Sequence, residues 1–328
     1  MSQAIKRSTG VVLGVVLAMA LVTWIGFRQD LAAARERVAS GSEVVTTPCG
    51  PIEYAVSGTG APVLVAHGAG GGFDQGLEFA RPLAQAGFRA ISVSRFGYLR
   101  SPLPADPSPA VQADAYACLL DALQLPQAAV LGVSAGAPST LQFCLRHAQR
   151  CSAMVLLVPA TRDPRPAGAA QPPAFARFML EAVLGSDFAF WAVSGLSRDN
   201  MLEKFFGTPA ADFRRAAPGD QERIRRLARN VAPVSKRVQG LQNDFAVLDS
   251  PPRFETERIA APTLVISSAD DLFGTYASGR ELAARIPGAR FAGYPDGGHL
   301  LAGHYDEVVA EIVGFLNGRP PGTRVAPR

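Results

Sequence analysis

Serine is a weak nucleophile at neutral pH and performs acyl transfer only when a base takes its proton and a carboxylate orients that base. Ser134 stands where such chemistry could be staged, in Gly132-Val133-Ser134-Ala135-Gly136. A β-prone run, Ala129 to Leu131, leads into it, and a helix-compatible stretch from Pro138 to Ala148 follows. A sharp strand-to-helix turn crowds the backbone on both sides of its tip, which is why glycine is needed at those two positions. The same five-residue pattern recurs in ordinary tight turns; the strand before it and the helix after it are what favour the nucleophile.

The chain has four histidines, His67, His147, His299 and His304. His299 lies in a Gly-Gly-His loop after the last strand-like run and can reach a serine at the carboxyl edge of a parallel sheet, where open α/β sheets place their sites. His304 reads as structural. Asp270 and Asp271 follow the buried run Pro262 to Ser267, and the order Ser134, Asp270 or Asp271, His299 is Ser-Asp-His. A second glycine-rich turn, His67-Gly68-Ala69-Gly70-Gly71-Gly72, lacks both the Lys-Ser/Thr of a P-loop and the G-x-G-x-x-G spacing of a dinucleotide site. It suits a backbone that aims amide hydrogens at a developing negative charge; a purely structural turn is the rival reading.

These residues need a scaffold. Glu43 to Thr47 and Ile52 to Val56 alternate like an exposed antiparallel hairpin, turning at Pro48 to Pro51. Pro62 to Ala66, Phe88 to Ser94, the serine strand, Ala153 to Val158 and Pro262 to Ser267 are short continuous apolar runs, as strands covered on both faces require. Helical patterns separate them (Phe73 to Ala86, Pro109 to Leu125), and Tyr276 to Ile286, Arg290 to Tyr294 and Asp306 to Leu316 close the domain. From Ala160 to about Ala260 no strand-like run occurs. Pro-rich turns (Pro164, Pro166, Pro172, Pro173) and helical segments (Phe175 to Leu184, Phe188 to Val193, Gln221 to Asn230) rich in aromatics predict a lid over a pocket. Arg223, Arg225, Arg226 and Arg229 read as a solvated helix face, and Asn317 to Arg328 as a disordered tail.

The elbow at Gly132 to Gly136, the His-Gly loop at His67 to Gly70, the strand ending Ser-Ala-Asp-Asp and the terminal Gly-Gly-His together resemble the α/β-hydrolase fold superfamily, from about Glu43 to Leu316. The resemblance implies a mostly parallel central sheet with helices on both faces and a helical lid insertion. It selects Asp271, three residues after Ser268, as the acid, with Asp270 as understudy. It also implies oxyanion donors at the amides of Ala69 and Ala135, each worth about 2.7–4 kcal/mol in the transition state. Serine at the elbow argues against the branches that attack through a carboxylate. The expected division is an anchor and stalk over 1–42, a core from 43–159 and 261–317, a lid over 160–260, and a tail over 318–328.

At 328 residues with 18% charged and 48% hydrophobic composition, the chain fits one large α/β core with an insertion. A net charge of +4 with scattered arginines makes no nucleic-acid stripe. Cys49, Cys118, Cys144 and Cys151 lack metal-site spacing; buried free thiols are expected, with Cys144 and Cys151 the one pair close enough to suspect of bonding. Lys6 and Arg7 precede the uncharged run Ser8 to Phe27, long enough to cross a bilayer. An uncleaved anchor with the catalytic domain outside the cytoplasm is expected, a signal peptide cut near Ala32 to Ala34 being the rival. Leu31 to Ser42, with Arg35, Glu36 and Arg37, reads as a charged, alanine-rich helical stalk that is only a linker. The expectation is a serine hydrolase acting on an apolar carboxylic ester without cofactor or metal. An acyltransferase, a C–C bond hydrolase or a ligand-binding protein on the same scaffold are the alternatives.

Overall fold

The continuous apolar runs divide by residue parity between two layers. Leu64, Ile91, Val130, Met154, Leu156 and Val265 turn to one side, against Tyr116, Leu119, Leu120, Leu141 and Phe143. Val63, Val65, Ala90, Leu131, Val155, Leu157, Leu264 and Ile266 turn to the other, against Leu83, Val308 and Ile312. Side chains alternate along a strand, so a run apolar at every position buries two faces at once.

The computed structural model describes residues 2–161, 182–196 and 198–318. Eight strands form one sheet in the order β1-β2-β4-β3-β5-β6-β7-β8. β1 (Glu43–Thr47) and β2 (Gly50–Ser57) are the antiparallel hairpin read from the sequence, and β2 also pairs antiparallel with β4 (Phe88–Val93). From there on β3 (Ala61–Ala66), β5 (Ala128–Val133), β6 (Cys151–Leu157), β7 (Thr263–Ser268) and β8 (Arg290–Tyr294) run parallel. Parallel neighbours need crossovers. After α1 (Ser2–Ala39), these are α2 (Phe73–Gln85), α3 (Pro109–Ala122), α4 (Ala137–Arg146) and, after β7, the helix Thr275–Arg285; the helix Tyr305–Leu316 closes the chain.

Between β6 and β7 no strand occurs among the described residues, and the longer elements are the helices α5 (Asp187–Leu196), α6 (Arg198–Phe206), α7 (Ala210–Arg215), α8 (Pro218–Arg229) and α9 (Val238–Asp249). They gather their own small core around Phe190, Met201, Phe206, Val231, Val234 and Leu241, which reaches Tyr98 of the sheet domain. The Pro-rich turns, Phe175 and Phe178 lie outside the described residues, as does most of the tail.

Three sequence expectations are corrected. Cys49 is bonded to Cys118 and Cys144 to Cys151, and no described cysteine is free. The second bond spans 7 residues and was the suspected pair; the first spans 69 and ties the hairpin turn to α3, a proximity that only the fold creates. Leu31 to Ser42 is more than a linker. It is helical as expected, ending the 38-residue α1 at Ala39, but its Ala34 and Val38 are buried and Arg37 bonds the Asp74 carboxylate and the Ala232 carbonyl. Finally, Arg223 is buried rather than solvated: it pairs with Asp220, donates to the Leu300 carbonyl and stacks on Tyr305. Arg226 pairs with Glu78 of α2, leaving Arg225 and Arg229 on the exposed side with Glu222.

Candidate active site

Ser134 sits between the end of β5 and α4 with φ of 49°, a left-handed backbone that a non-glycine residue adopts only when its surroundings hold it there. The flanking glycines are required by contact. A Cβ on Gly132 would lie 2.4 Å from Thr140 Oγ1, and one on Gly136 would lie 2.4 Å from the Ala66 carbonyl oxygen. The crowding inferred from the motif is therefore contact with α4 on one side and with the neighbouring strand β3 on the other.

The loops after β7 and β8 bring two more side chains to this turn. His299 Nε2 is 2.9 Å from Ser134 Oγ, and its Nδ1 is 2.7 Å from Asp271 Oδ2. A carboxylate only accepts, so Nδ1–H donates to Asp271 and Nε2 is left as the acceptor facing the serine hydroxyl. Asp271 is fixed in turn by the Phe273 amide at 2.8 Å and by the Thr275 hydroxyl. Its neighbour Asp270 points elsewhere, accepting the Gly298 amide at 2.8 Å and so bracing the loop that carries His299.

The remaining histidines are occupied. His67 is wholly buried, its Nδ1 donating to the Gly68 carbonyl at 2.7 Å and its Nε2 accepting from the Arg95 amide at 3.0 Å. Burial first, and the Arg95 guanidinium second, push its pKa well below the ordinary value, so it is a neutral brace for the glycine loop. His147 bonds Asp114 and His304 bonds Asp296, away from Ser134.

The glycine loop lies against the serine: a Cβ on Gly68 would be 3.3 Å from Ser134 Cβ. Gln75 holds the Gly68 amide at 3.0 Å and the Tyr98 hydroxyl accepts the Gly70 amide at 3.2 Å. Between them, the Ala69 amide has no hydrogen-bond acceptor among the described residues. Ala135 is the second residue of the turn after β5, where backbone N–H groups have no partner within the helix. Two donors of this kind beside a serine can bind an oxyanion.

A cavity of about 80 Å³ opens at Ser134 and His299, walled by Phe79, Leu157, Val158, Phe205, Phe206, Leu227 and Phe273. The one charged side chain in its wall among the described residues is Arg223, already neutralised by Asp220. A wider polar groove of about 820 Å³ around Asp114, Arg146 and Arg253 holds none of the three residues of this row.

Sequence reasoning missed how the helical insertion holds this site. The Gly207 carbonyl accepts both the Leu272 amide at 3.0 Å and the His299 amide at 3.1 Å, stapling the acid loop to the histidine loop. Thr208 Oγ1 accepts the Leu300 amide at 2.9 Å. Asp244 receives Arg95 in a two-pronged ion pair at 2.7 and 2.6 Å, while Arg95 Nε also bonds the His67 carbonyl. Burial opposes the Arg95 charge, but Asp244 overrides it and holds the guanidinium protonated. Arg237, fully buried, pairs with Asp74 at 2.8 Å and bonds the Gly71 carbonyl. Partners some 150 residues apart leave no local pattern; only the unusual cost of burying a charge marks them once the fold is known.

This chain belongs to the α/β-hydrolase fold family, whose family model matches residues 61–302. It is 29% identical over 279 residues to a 2-hydroxy-6-oxononadienedioate/2-hydroxy-6-oxononatrienedioate hydrolase from Paraburkholderia xenovorans (strain LB400), covering 81% of this chain and 90% of that one. A shorter match, 32% identical over 121 residues, covers 37% of this chain and 42% of an uncharacterized hydrolase, YcgS, from Bacillus subtilis (strain 168). Among solved structures, an alpha/beta hydrolase fold protein from Nakamurella multipartita superposes with a TM-score of 0.68 at 28% identity, covering 84% of this chain and 98% of that one.

Proposed function

We propose that the protein is a serine hydrolase that cleaves a carboxylic ester with an apolar acyl group through an acyl-enzyme. His299 Nε2 takes the Ser134 proton as Oγ attacks the carbonyl carbon, Asp271 stabilises the imidazolium, and the Ala69 and Ala135 amides hold the tetrahedral oxyanion. The imidazolium returns its proton to the leaving alcohol; His299 then activates water, which releases the acid. The observation that carries this reading is the hydrogen-bonded row from Ser134 through His299 to Asp271.

In this reading residues 160–260 are a lid on a core formed by 43–159 and 261–317. Among the described residues the cavity wall is largely apolar and its one arginine is already paired, which suits an apolar acyl chain better than a dicarboxylate. C–C bond hydrolysis, the activity in the name of the Paraburkholderia relative, is the second reading. The helix Val12–Ala39, whose most apolar 18-residue stretch has mean hydropathy 1.7, is long enough to anchor the protein in a membrane. Two disulfides fit a catalytic domain outside the cytoplasm.

The test is intact-mass spectrometry of the detergent-solubilised full chain after a fluorophosphonate probe, followed by turnover of esters of graded chain length. One adduct, absent from Ser134→Ala, is expected. A folded wild type that takes no adduct overturns the reading; an adduct with turnover only of a vinylogous diketone favours the C–C reading.

A further inference from the structure

The long N-terminal helix meets the helical insertion at a cluster of rings. Phe27 packs edge-on against Phe188 at 5.1 Å and lies 5.7 Å from Trp191, while Trp24 lies 5.5 Å from Phe27 and 6.3 Å from Phe188. The Trp191 indole donates to Asp30 of α1 at 2.7 Å. These contacts fix α5 at the level of residues 24–30 of the helix.

That level is a boundary in the charge pattern. The run from Ser8 to Phe27 carries no charge, and Arg28 and Asp30 follow at once. If the run spans a bilayer, as proposed above, residues 24–28 lie where hydrocarbon gives way to headgroups. Trp24 is half exposed with the Arg28 guanidinium over its ring, the arrangement expected of an indole and a cation at that depth.

The composition of α5 fits the same place. In DFAFWAVSGL the one charge, Asp187, is turned to the protein, holding the Ser235 amide at 2.9 Å and Arg35. Phe190 is buried in the insertion against Phe205, yet Phe188 on the other side is 43% exposed. A helix apolar on both faces has one face too many for a surface in water.

We infer that α5 lies in the bilayer–water interface beside Trp24, so that the insertion rests on the lipid surface rather than standing off it. This rests on the anchor reading of the first helix. The occupant of the Phe188–Trp191 face is the headgroup–acyl boundary, because that face is continuous with the exposed apolar helix.

The chain contains two tryptophans, Trp24 and Trp191, and so reports on both readings separately. The full chain carrying Trp191→Phe or Trp24→Phe would be reconstituted into phosphatidylcholine–phosphatidylglycerol vesicles containing lipid brominated near the headgroup end or near the methyl end of the acyl chain. Trp191 should lose more than half of its emission to the shallow bromines and much less to the deep ones, and should resist aqueous iodide. Quenching of Trp24 by lipid with Trp191 open to iodide overturns the inference and leaves the anchor intact. Trp191 shielded from both lipid and iodide also overturns it, in favour of a second copy covering this face. No lipid quenching of either tryptophan overturns the anchor reading, and the inference with it.

Discussion

The sheet domain and the helical insertion are held by different forces. In the sheet domain both layers are apolar, with Leu64, Val65, Ile91, Val130 and Leu264 all at 1% exposure or less. The insertion has a modest apolar core of its own and is fastened to the domain by buried charge: Arg95 to Asp244 and Arg237 to Asp74. Apolar packing is tolerant of which neighbour supplies the surface, whereas a buried ion pair is costly unless its one partner is in place. Both pairs end on the glycine loop, through the His67 and Gly71 carbonyls. The insertion is therefore seated by charge on the very backbone that would hold an oxyanion.

The largest effect should come from the sheet domain. Ser134→Ala should lower turnover roughly 10⁴- to 10⁶-fold with thermal unfolding unchanged, because the side chain adds chemistry but little packing. Asp271→Asn should cost roughly 10⁴-fold through the histidine tautomer, while Asp270→Asn costs far less. Equal losses in steady-state kinetics would show that the two loops act as one unit and would erase the distinction between orienting acid and brace.

Asp244→Ala should destabilise the protein by about 3–5 kcal/mol in denaturant titration, since it leaves the Arg95 guanidinium buried and unpaired. If activity survives at temperatures where the protein stays folded, charge fastens the insertion but does not shape the glycine loop. Opening the Cys49–Cys118 bond by paired alanine substitution should cost about 4 kcal/mol in the chain-entropy picture, and opening Cys144–Cys151 about 2.5 kcal/mol, in the order of their separations of 69 and 7 residues.

A smaller effect should be visible in pH. The Asp212 carboxyl of α7 faces Asp270 of the acid loop, and burial first and that neighbour second push its pKa up to about 6. An acid raised in the folded state stabilises while protonated, so its contribution is full below the ordinary carboxylate value and is lost as pH climbs through about 6. Burial would raise Asp270 as well, but hydrogen bonds from Asp212 and the Gly298 amide hold it below the usual range, so it does not titrate in that window. Thermal unfolding should then show wild type losing stability between about pH 4 and pH 7, and Asp212→Asn losing less. A residual slope is expected from His304: burial lowers its pKa, but the Asp296 and Glu307 carboxylates together outweigh this and raise it, so its contribution too fades as pH rises. Smallest of all, Arg225→Ala on the exposed face of α8 should change stability by less than about 0.5 kcal/mol.

The two regions also differ in how much of them could be read before folding. The strands β3 to β7 are short, mostly apolar runs, and helical patterns separate them, so sequence alone places these strands and the turn at Ser134. His299 and the pair Asp270 and Asp271 were legible because the chemistry demands a base and an acid at the ends of later strands; Asp271 was preferred to its neighbour only through the family resemblance. In the insertion the helices could be expected, but not that Arg223 turns inward while Arg225 faces water, nor that the segment after Phe27 packs its side chains on α5.

What the sequence determined by itself is whatever depends on neighbours a few residues away: strand and helix periods, the glycine-flanked serine, the uncharged run before Arg28. The tertiary structure alone decided what depends on distant partners. It joined Cys49 to Cys118, set Asp244 on Arg95, placed the Gly207 carbonyl between two loops, and chose which of two adjacent aspartates meets His299. The reason is physical. Local pattern is fixed by backbone geometry within a turn or two, but a buried charge or a shared hydrogen bond takes its meaning from the group opposite, and only the packed chain brings that group into place.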